Sequence, residues 1–179
     1  MKRFLFLILI VSFNISASDE GIQQWVYNTL ERAQANLDKG NIEAAEKIYY
    51  DYANDTWSSR SYDHFVFLRT YAYFLLSFDR NEEALRYLKQ ASLKRDMPPY
   101  DIFELHFTLG QVYYVTGDRD NAKKTLLKWV EIGEKNNLDL KPEGYAILAT
   151  IYAQDEEWGN ALKFITLAID NSYRFVEDW

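Results

Sequence analysis

The sequence contains no cysteine, two histidines and three prolines among its 179 residues. Without cysteine there is no disulfide framework, and a structural zinc site would need both histidines together with carboxylates. His64 and His106 lie far apart in the sequence and outside any metalloprotease pattern, and no nucleophile-elbow or phosphate-loop pattern occurs. We therefore expect no metal, no cofactor and no enzymatic activity.

Basic residues are also few, because 20 lysines and arginines stand against 27 aspartates and glutamates, which gives a net charge of −7. An acidic surface repels phosphate backbones, and no stripe of basic residues offsets it, so nucleic acid is excluded as a partner. Hydrophobic residues, in contrast, make up 48% of the chain and aromatic residues 17%. This composition is too apolar for a disordered chain and predicts a domain with a packed core.

The first 18 residues differ from the rest of the chain. Two basic residues, Lys2 and Arg3, precede an apolar run from Phe4 to Val11, and three small residues stand at 16–18. This layout is typical of a cleavable signal peptide, and the apolar run is too short to span a bilayer comfortably. No cysteine follows it that could carry a lipid anchor. We predict a signal peptide over 1–18 and a periplasmic or secreted protein, with an uncleaved membrane anchor as the alternative.

A short polar segment that ends in alanine recurs four times: GNIEAA (40–45), DRNEEA (79–84), GDRDNA (117–122) and EEWGNA (156–161). The four final alanines are 39, 38 and 39 residues apart, and another small residue stands twelve residues before each of them. The earlier small residues are Ala33, Ala72, Gly110 and Ala149, and the later ones are Ala45, Ala84, Ala122 and Ala161.

Apolar residues recur at intervals of three and four on both sides of each polar segment, which predicts eight helices in four antiparallel pairs. Two antiparallel helices approach closely only where the side chains at their crossing are small. We therefore predict that each pair of small residues marks the crossing within one helix pair. The predicted domain covers 19–172, with units at about 22–55, 61–95, 100–136 and 142–172, and residues 173–179 form a tail or the start of a further helix.

The units resemble the tetratricopeptide repeat (TPR), whose signature includes leucine–glycine, tyrosine and alanine at set offsets. The third unit supplies Leu109-Gly110, Tyr113 and Ala122, and the resemblance covers about 25–173. It implies an all-α fold, an α-α superhelix of about four helix pairs whose first helices line a concave groove. The period here is 38–39 residues instead of 34. Armadillo or HEAT arrays have a similar period and are the structural alternative, but they lack the paired small residues.

A second resemblance covers only 142–179: the stretch PEGYAILATIYAQDEEWGNALKFITLAID and the closing VEDW resemble periplasmic TPR proteins associated with TonB systems. It implies an accessory role in an envelope complex.

The TPR resemblance also implies which side chains face the groove, namely those three residues before, one after and four after the first small residue of each unit. Aromatic, arginine and glutamine side chains at such positions suit an extended peptide or a partner helix, since they combine apolar area with hydrogen-bonding groups. Ordinary packing between helices is the alternative role for these positions. The predicted groove residues are Arg69, Tyr73, Leu76, Phe107, Gln111, Tyr114 and Thr150.

These features predict a non-enzymatic, exported scaffold that binds a protein or peptide. Two alternatives remain open. The first is self-association into a homo-oligomer through an uncovered apolar face, since a repeat array without a polar last helix exposes one. Its candidate residues are Leu162, Ile165, Ile169 and Phe175. The second alternative is binding of a small molecule or glycan, which the tryptophan and tyrosine content suggests.

Overall fold

A computed structural model describes the backbone of residues 21–55 and 61–177, and side chains as far as residue 172. This part of the chain contains eight α-helices and no strand, which confirms the predicted all-α class. The predicted signal peptide, 1–18, lies outside the described residues. The helices are α1 (Gln24–Asp38), α2 (Ile42–Ala53), α3 (Ser61–Ser77), α4 (Asn81–Ser92), α5 (Pro99–Val115), α6 (Arg119–Asn136), α7 (Pro142–Gln154) and α8 (Trp158–Glu177).

The helices pack as four consecutive pairs, and each second helix also packs against the first helix of the next pair. Tyr49 of α2 faces Phe74 of α3 at 5.4 Å between ring centroids, and Tyr52 faces Phe67 at 4.8 Å. Residue numbers thus increase along α2 in the direction in which they decrease along α3, so the two helices run antiparallel. The structure is a TPR-like solenoid.

The last helix is longer than the sequence predicts. Residues 173–177 continue α8 without a break, so they are not a separate tail or a further helix. No proline or glycine follows Gly159, and the helix therefore has no residue that would stop it at 172.

All eight small residues at the predicted crossings are buried. A Cβ atom added to Gly110 would lie 2.6 Å from Cγ of Leu126, which is fully buried in the facing helix α6. Glycine is thus needed where α5 and α6 cross, because a larger residue would push the two helices apart.

The turn within each pair contains one residue with a left-handed backbone, always five positions before the recurring alanine. These residues are Gly40, Asp79, Gly117 and Glu156, with φ of 77°, 58°, 86° and 60°. Glycine adopts this conformation without strain, whereas a residue with a Cβ atom does so at a cost of roughly 1–2 kcal/mol. The second and fourth turns therefore carry strain that the first and third avoid.

We expect Glu156→Gly to raise the free energy of unfolding by about 0.5–1 kcal/mol, because it removes this strain at an exposed position. Urea denaturation of the purified protein measures the change. Gly117→Ala is the matched control, since its Cβ would meet no atom within 4 Å and only the backbone is strained. It should lower the free energy of unfolding by about 1 kcal/mol. Equal stability of all three proteins would contradict the strain argument.

Two of the junctions between units carry an ion pair at the same repeat positions, with the signs exchanged. Glu46 of the first unit pairs with Arg80 of the second at 2.6 Å, and Lys123 of the third unit pairs with Glu157 of the fourth at 3.0 Å. Each pair joins the residue after one recurring alanine to the residue four before the next. Leu85 occupies the first of these positions in the second unit. If the third unit packed against the second in place of the first, Lys123 would face Arg80. This repulsion between like charges disfavours such an exchange of units.

Candidate functional site

One side of α3, α5 and α7 carries the predicted groove residues, and we call it the first-helix surface. Side-chain contacts join these helices directly. Arg69 of α3 forms an ion pair with Asp101 of α5, and the Tyr73 hydroxyl lies 3.3 Å from the Thr108 hydroxyl. Lys141, the N-cap residue of α7, pairs with Glu104 of α5 at 2.8 Å. These contacts hold the three helices in one lateral arrangement.

Asp101 lies at the centre of a buried polar network between the second and third units. Its Oδ1 accepts a hydrogen bond from Arg69 Nη1, and its Oδ2 accepts one from the Tyr62 hydroxyl at 2.8 Å. Burial and the hydrogen bond to Asp101 raise the pKa of Tyr62 to about 12, so its hydroxyl remains a donor at any physiological pH. The guanidinium of Arg69 also lies over the Phe65 ring, 5.2 Å from its centroid. Both charges are therefore satisfied within the protein.

Five of the seven predicted groove residues contribute to packing. Arg69 is largely buried by its ion pair. Phe107 is buried in the core, with its ring 5.2 Å from that of Trp129 and the Lys141 ammonium over its face. Tyr73, Leu76 and Tyr114 are partly buried against the hydrophobic core. The side chains of Arg69 and Phe107 are thus not free to contact a partner in this structure.

Every predicted groove residue except Phe107 keeps some exposed surface. Tyr73, Gln111 and Tyr114 are partly exposed, and Thr150 is exposed with its hydroxyl bonded to the carbonyl of Ala146 at 2.8 Å. Tyr73, Gln111 and Thr150 each follow the first small residue of their unit directly. They therefore form a row with one hydrogen-bonding side chain per unit, and we call this the polar row.

The residues that shape this surface include a pair of aspartates that sequence reasoning did not identify. Asp63 and Asp101 each stand nine positions before a first small residue, and each follows a tyrosine. Asp63 is fully buried and accepts a hydrogen bond from the backbone N–H of Gln23, in the unit before it, at 3.3 Å. The signal was the recurrence of Tyr-Asp at 62–63 and 100–101. Acidic residues near a helix start are usually explained by their interaction with the helix dipole, so the sequence alone does not distinguish these two aspartates.

The two histidines occupy structural positions. His64 Nε2 lies 3.0 Å from the carbonyl of Ala53, and its Nδ1 lies 2.8 Å from the Lys94 ammonium. His106 Nδ1 lies 2.8 Å from the carbonyl of Ile102, and burial lowers its pKa. Among the described residues, no group of three or more histidine, aspartate or glutamate side chains could hold a metal ion.

Two surface depressions lie in the described part of the chain. One depression of about 280 Å³ lies between α7 and α8, and another of about 250 Å³ lies between α5 and the α6–α7 connection. Pockets that enclose small molecules usually have volumes of about 300–1,000 Å³. Both depressions fall just below this range. Within the same residues, no helix combines the length and apolar character that crossing a bilayer requires.

Comparison with solved structures identifies TPR-like proteins. A crystal structure of MamA superposes with a TM-score of 0.63 at 18% sequence identity, covering 85% of this chain and 81% of that one. Nearly identical TPR-like repeats of a kinesin light chain from Podosopora anserina superpose with a TM-score of 0.59 at 17% identity, covering 84% of this chain and 76% of that one. No family model and no curated protein matches the sequence. At these identities the comparisons show a shared fold.

Proposed function

We propose that this chain is a non-enzymatic scaffold that binds a segment of a protein partner across the first-helix surface. The polar row is the observation that supports this most directly. Each unit from the second to the fourth presents a polar side chain with hydrogen-bonding atoms at one repeat position. The neighbouring charged and aromatic side chains are held in buried contacts, and these contacts fix the helices that carry the row.

An extended peptide suits such a row. Its backbone offers an N–H and a C=O group at every residue, and regularly spaced hydroxyl and amide side chains can pair with them. Tyr114, one turn after Gln111, adds aromatic area beside the row. TPR-like proteins, which share this fold, suggest protein partners in general.

The cellular setting is part of the same proposal. We propose that residues 1–18 direct export, and that the scaffold acts in the periplasm or outside the cell as an accessory to an envelope complex such as a TonB system. The layout of residues 1–18 and the resemblance of 142–179 support this. N-terminal sequencing of the protein from an envelope fraction tests export, and a chain that still begins at Met1 would contradict cleavage.

We expect Tyr73→Ala combined with Tyr114→Ala to lower partner binding about tenfold or more, because truncating central aromatic contacts typically has an effect of this size. The measurement is affinity capture from a periplasmic extract, with bound proteins quantified by mass spectrometry. Circular dichroism melts establish that the variant is folded.

Tyr50→Ala is the matched control, since Tyr50 is an exposed tyrosine of similar size on a second helix, away from the first-helix surface. Its capture profile should equal that of the unchanged protein. If the double variant captures the same proteins at the same level, the first-helix surface is not the binding site. Equal losses in the variant and the control would also contradict the proposal.

A further inference from the structure

The last helix has an apolar face that no other described element covers. Trp158, Leu162, Ile165 and Ile169 are all exposed, at successive spacings of four, three and four residues. Side chains with these spacings lie on one face of an α-helix. We call this set the α8 stripe.

Comparison of repeat positions shows what normally covers such a face. The residue four positions after each recurring alanine is Tyr49, Leu88, Leu126 or Ile165. The first three are 4%, 0% and 0% exposed, whereas Ile165 is 41% exposed. Tyr49 faces Phe74 of α3 in the next unit, and Leu126 lies at the crossing with Gly110 in its own helix pair. Ile165 therefore occupies a position that is buried in every earlier unit.

The covering helices share a pattern of buried residues. Each contributes buried residues five before, one before and two after its first small residue, at spacings of four and three. Tyr49 of α2, for example, packs against Phe74 of α3 in this way. The buried residues are Phe67, Tyr71 and Phe74 in α3, Leu105, Leu109 and Val112 in α5, and Gly144, Leu148 and Ile151 in α7.

The first helix is poorly suited to cover α8 of a second copy. Its residues at the three covering positions are Asn28, Arg32 and Ala35, all of which are exposed. Packing the asparagine and the arginine on an apolar stripe would remove water from their polar groups without providing partners. The alanine offers only a methyl group in return. Head-to-tail stacking of copies into a filament is therefore disfavoured.

The α8 stripe itself has the covering pattern, since Trp158, Leu162 and Ile165 are also spaced by four and three residues. Its full spacing of four, three and four reads the same in both chain directions. Two antiparallel copies of α8 can thus place Leu162 opposite Ile165 and Trp158 opposite Ile169 in a single register. Such an arrangement has two-fold symmetry, which is the commonest symmetry of protein dimers.

From this pattern we infer that the α8 stripe is a dimer interface, covered by α8 of a second copy in antiparallel orientation. The inference is independent of the proposed binding at the first-helix surface, because the stripe lies on a different helix. A dimer would present two first-helix surfaces, so that a partner with two binding segments would bind with higher avidity. High salt should leave the dimer intact or strengthen it, since the contact is apolar and both copies are acidic.

The test is sedimentation velocity over about 1–100 μM, with the full chain and with a chain that begins at Asp19. A dimer is expected in both, and association of the full chain alone would overturn the inference because it would depend on the apolar run at 4–11. Leu162→Glu should weaken dimerisation about tenfold or more. Leu93→Glu is the matched control, because Leu93 is even more exposed but lies after α4. It should leave the dimer unchanged.

A mixing experiment tests the register. Leu162→Glu and Ile165→Lys should each dimerise about tenfold or more weakly when alone, because a dimer of either variant would bury charged side chains against apolar ones. Mixed in equal amounts, they should form a heterodimer in which the carboxylate introduced at position 162 of one copy faces the ammonium introduced at position 165 of the other. A monomer at every concentration of the unchanged protein, or a dimer that Leu162→Glu does not weaken, would overturn the inference. Failure of the heterodimer to form would overturn the antiparallel register.

Discussion

Trp129→Ala is expected to lower the free energy of unfolding by about 3–5 kcal/mol, the range for removing a large aromatic side chain from a core. Trp129 is fully buried and contacts Phe103, Phe107 and Tyr145 at 5.6, 5.2 and 5.6 Å between ring centroids. These rings belong to α5, α6 and α7, so the substitution would loosen the junction between the third and fourth units. Urea denaturation followed by circular dichroism measures the loss.

A second substitution separates the ring's packing from its polar group. The indole Nε1 of Trp129 is buried and has no hydrogen-bond partner among the described residues, which costs about 1–3 kcal/mol. Trp129→Phe removes this unsatisfied donor while keeping an aromatic ring, so it should destabilise far less than Trp129→Ala. Similar losses for the two variants would show that the shape of the indole, and not buried apolar volume alone, determines stability here.

The matching constraint comes from α7. A Cβ atom at Gly144 would lie 2.4 Å from the Trp129 ring, so glycine is required for α7 to approach α6 this closely. Gly144→Ala should therefore be destabilising by roughly 1–3 kcal/mol in the unchanged protein. Gly144→Ala should destabilise the Trp129→Phe variant less, because the smaller phenylalanine ring leaves room for the added methyl group. Additive losses would contradict a direct contact between the two residues.

Asp101→Ala is expected to have an effect of similar size, about 3–5 kcal/mol, because it leaves the buried guanidinium of Arg69 without a counter-charge. The side chains of Arg69 and Asp101 are 15% and 10% exposed, so water compensates little for the lost partner. Chemical denaturation measures the effect. Asp120→Ala is the control, since Asp120 is an exposed acid in the first turn of α6. Asp120→Ala should lower the free energy of unfolding by no more than about 1 kcal/mol.

Replacing both charged residues gives a sharper result. Arg69→Met with Asp101→Leu removes the pair together, so no buried charge is left alone. This double variant should be more stable than Asp101→Ala, as seen when buried ion pairs are replaced by apolar residues of similar volume. A loss below about 1 kcal/mol for Asp101→Ala would contradict a structural role for the network. If binding at the first-helix surface depends on the spacing of α3 and α5, Asp101→Ala should also weaken partner capture.

The repeat architecture could be predicted from the sequence because its causes are local. Apolar residues at intervals of three and four predict helices. Each close crossing of two helices requires a small residue, as at Gly110 and Ala122. Both features recur in every unit, so each unit supports the interpretation of the others. The end of α8 was less predictable, since residues 173–177 differ from a tail only in lacking a helix breaker.

The accessibility of the first-helix residues could not be predicted in the same way. Arg69, Tyr73 and Phe107 all occupy groove positions by repeat offset, yet Phe107 is buried, and Arg69 and Tyr73 are only partly exposed. Arg69 is buried by Asp101, which lies 32 residues away in the sequence, and Phe107 by Trp129 of the neighbouring helix. A repeat offset specifies which side of its helix a residue occupies, but not which long side chain reaches it from the next unit.

By itself, the sequence determined the four helix pairs, their crossings and the spacing of the α8 stripe. These follow from residue size and helical periodicity, which act between residues close together in the chain. Only the tertiary structure decided which side chains are exposed. That depends on how successive units stack, since burial of a charged or aromatic side chain requires a partner at a particular distance and angle. Asp101 beside Arg69, and the uncovered Ile165, exist as features only once the units are packed together.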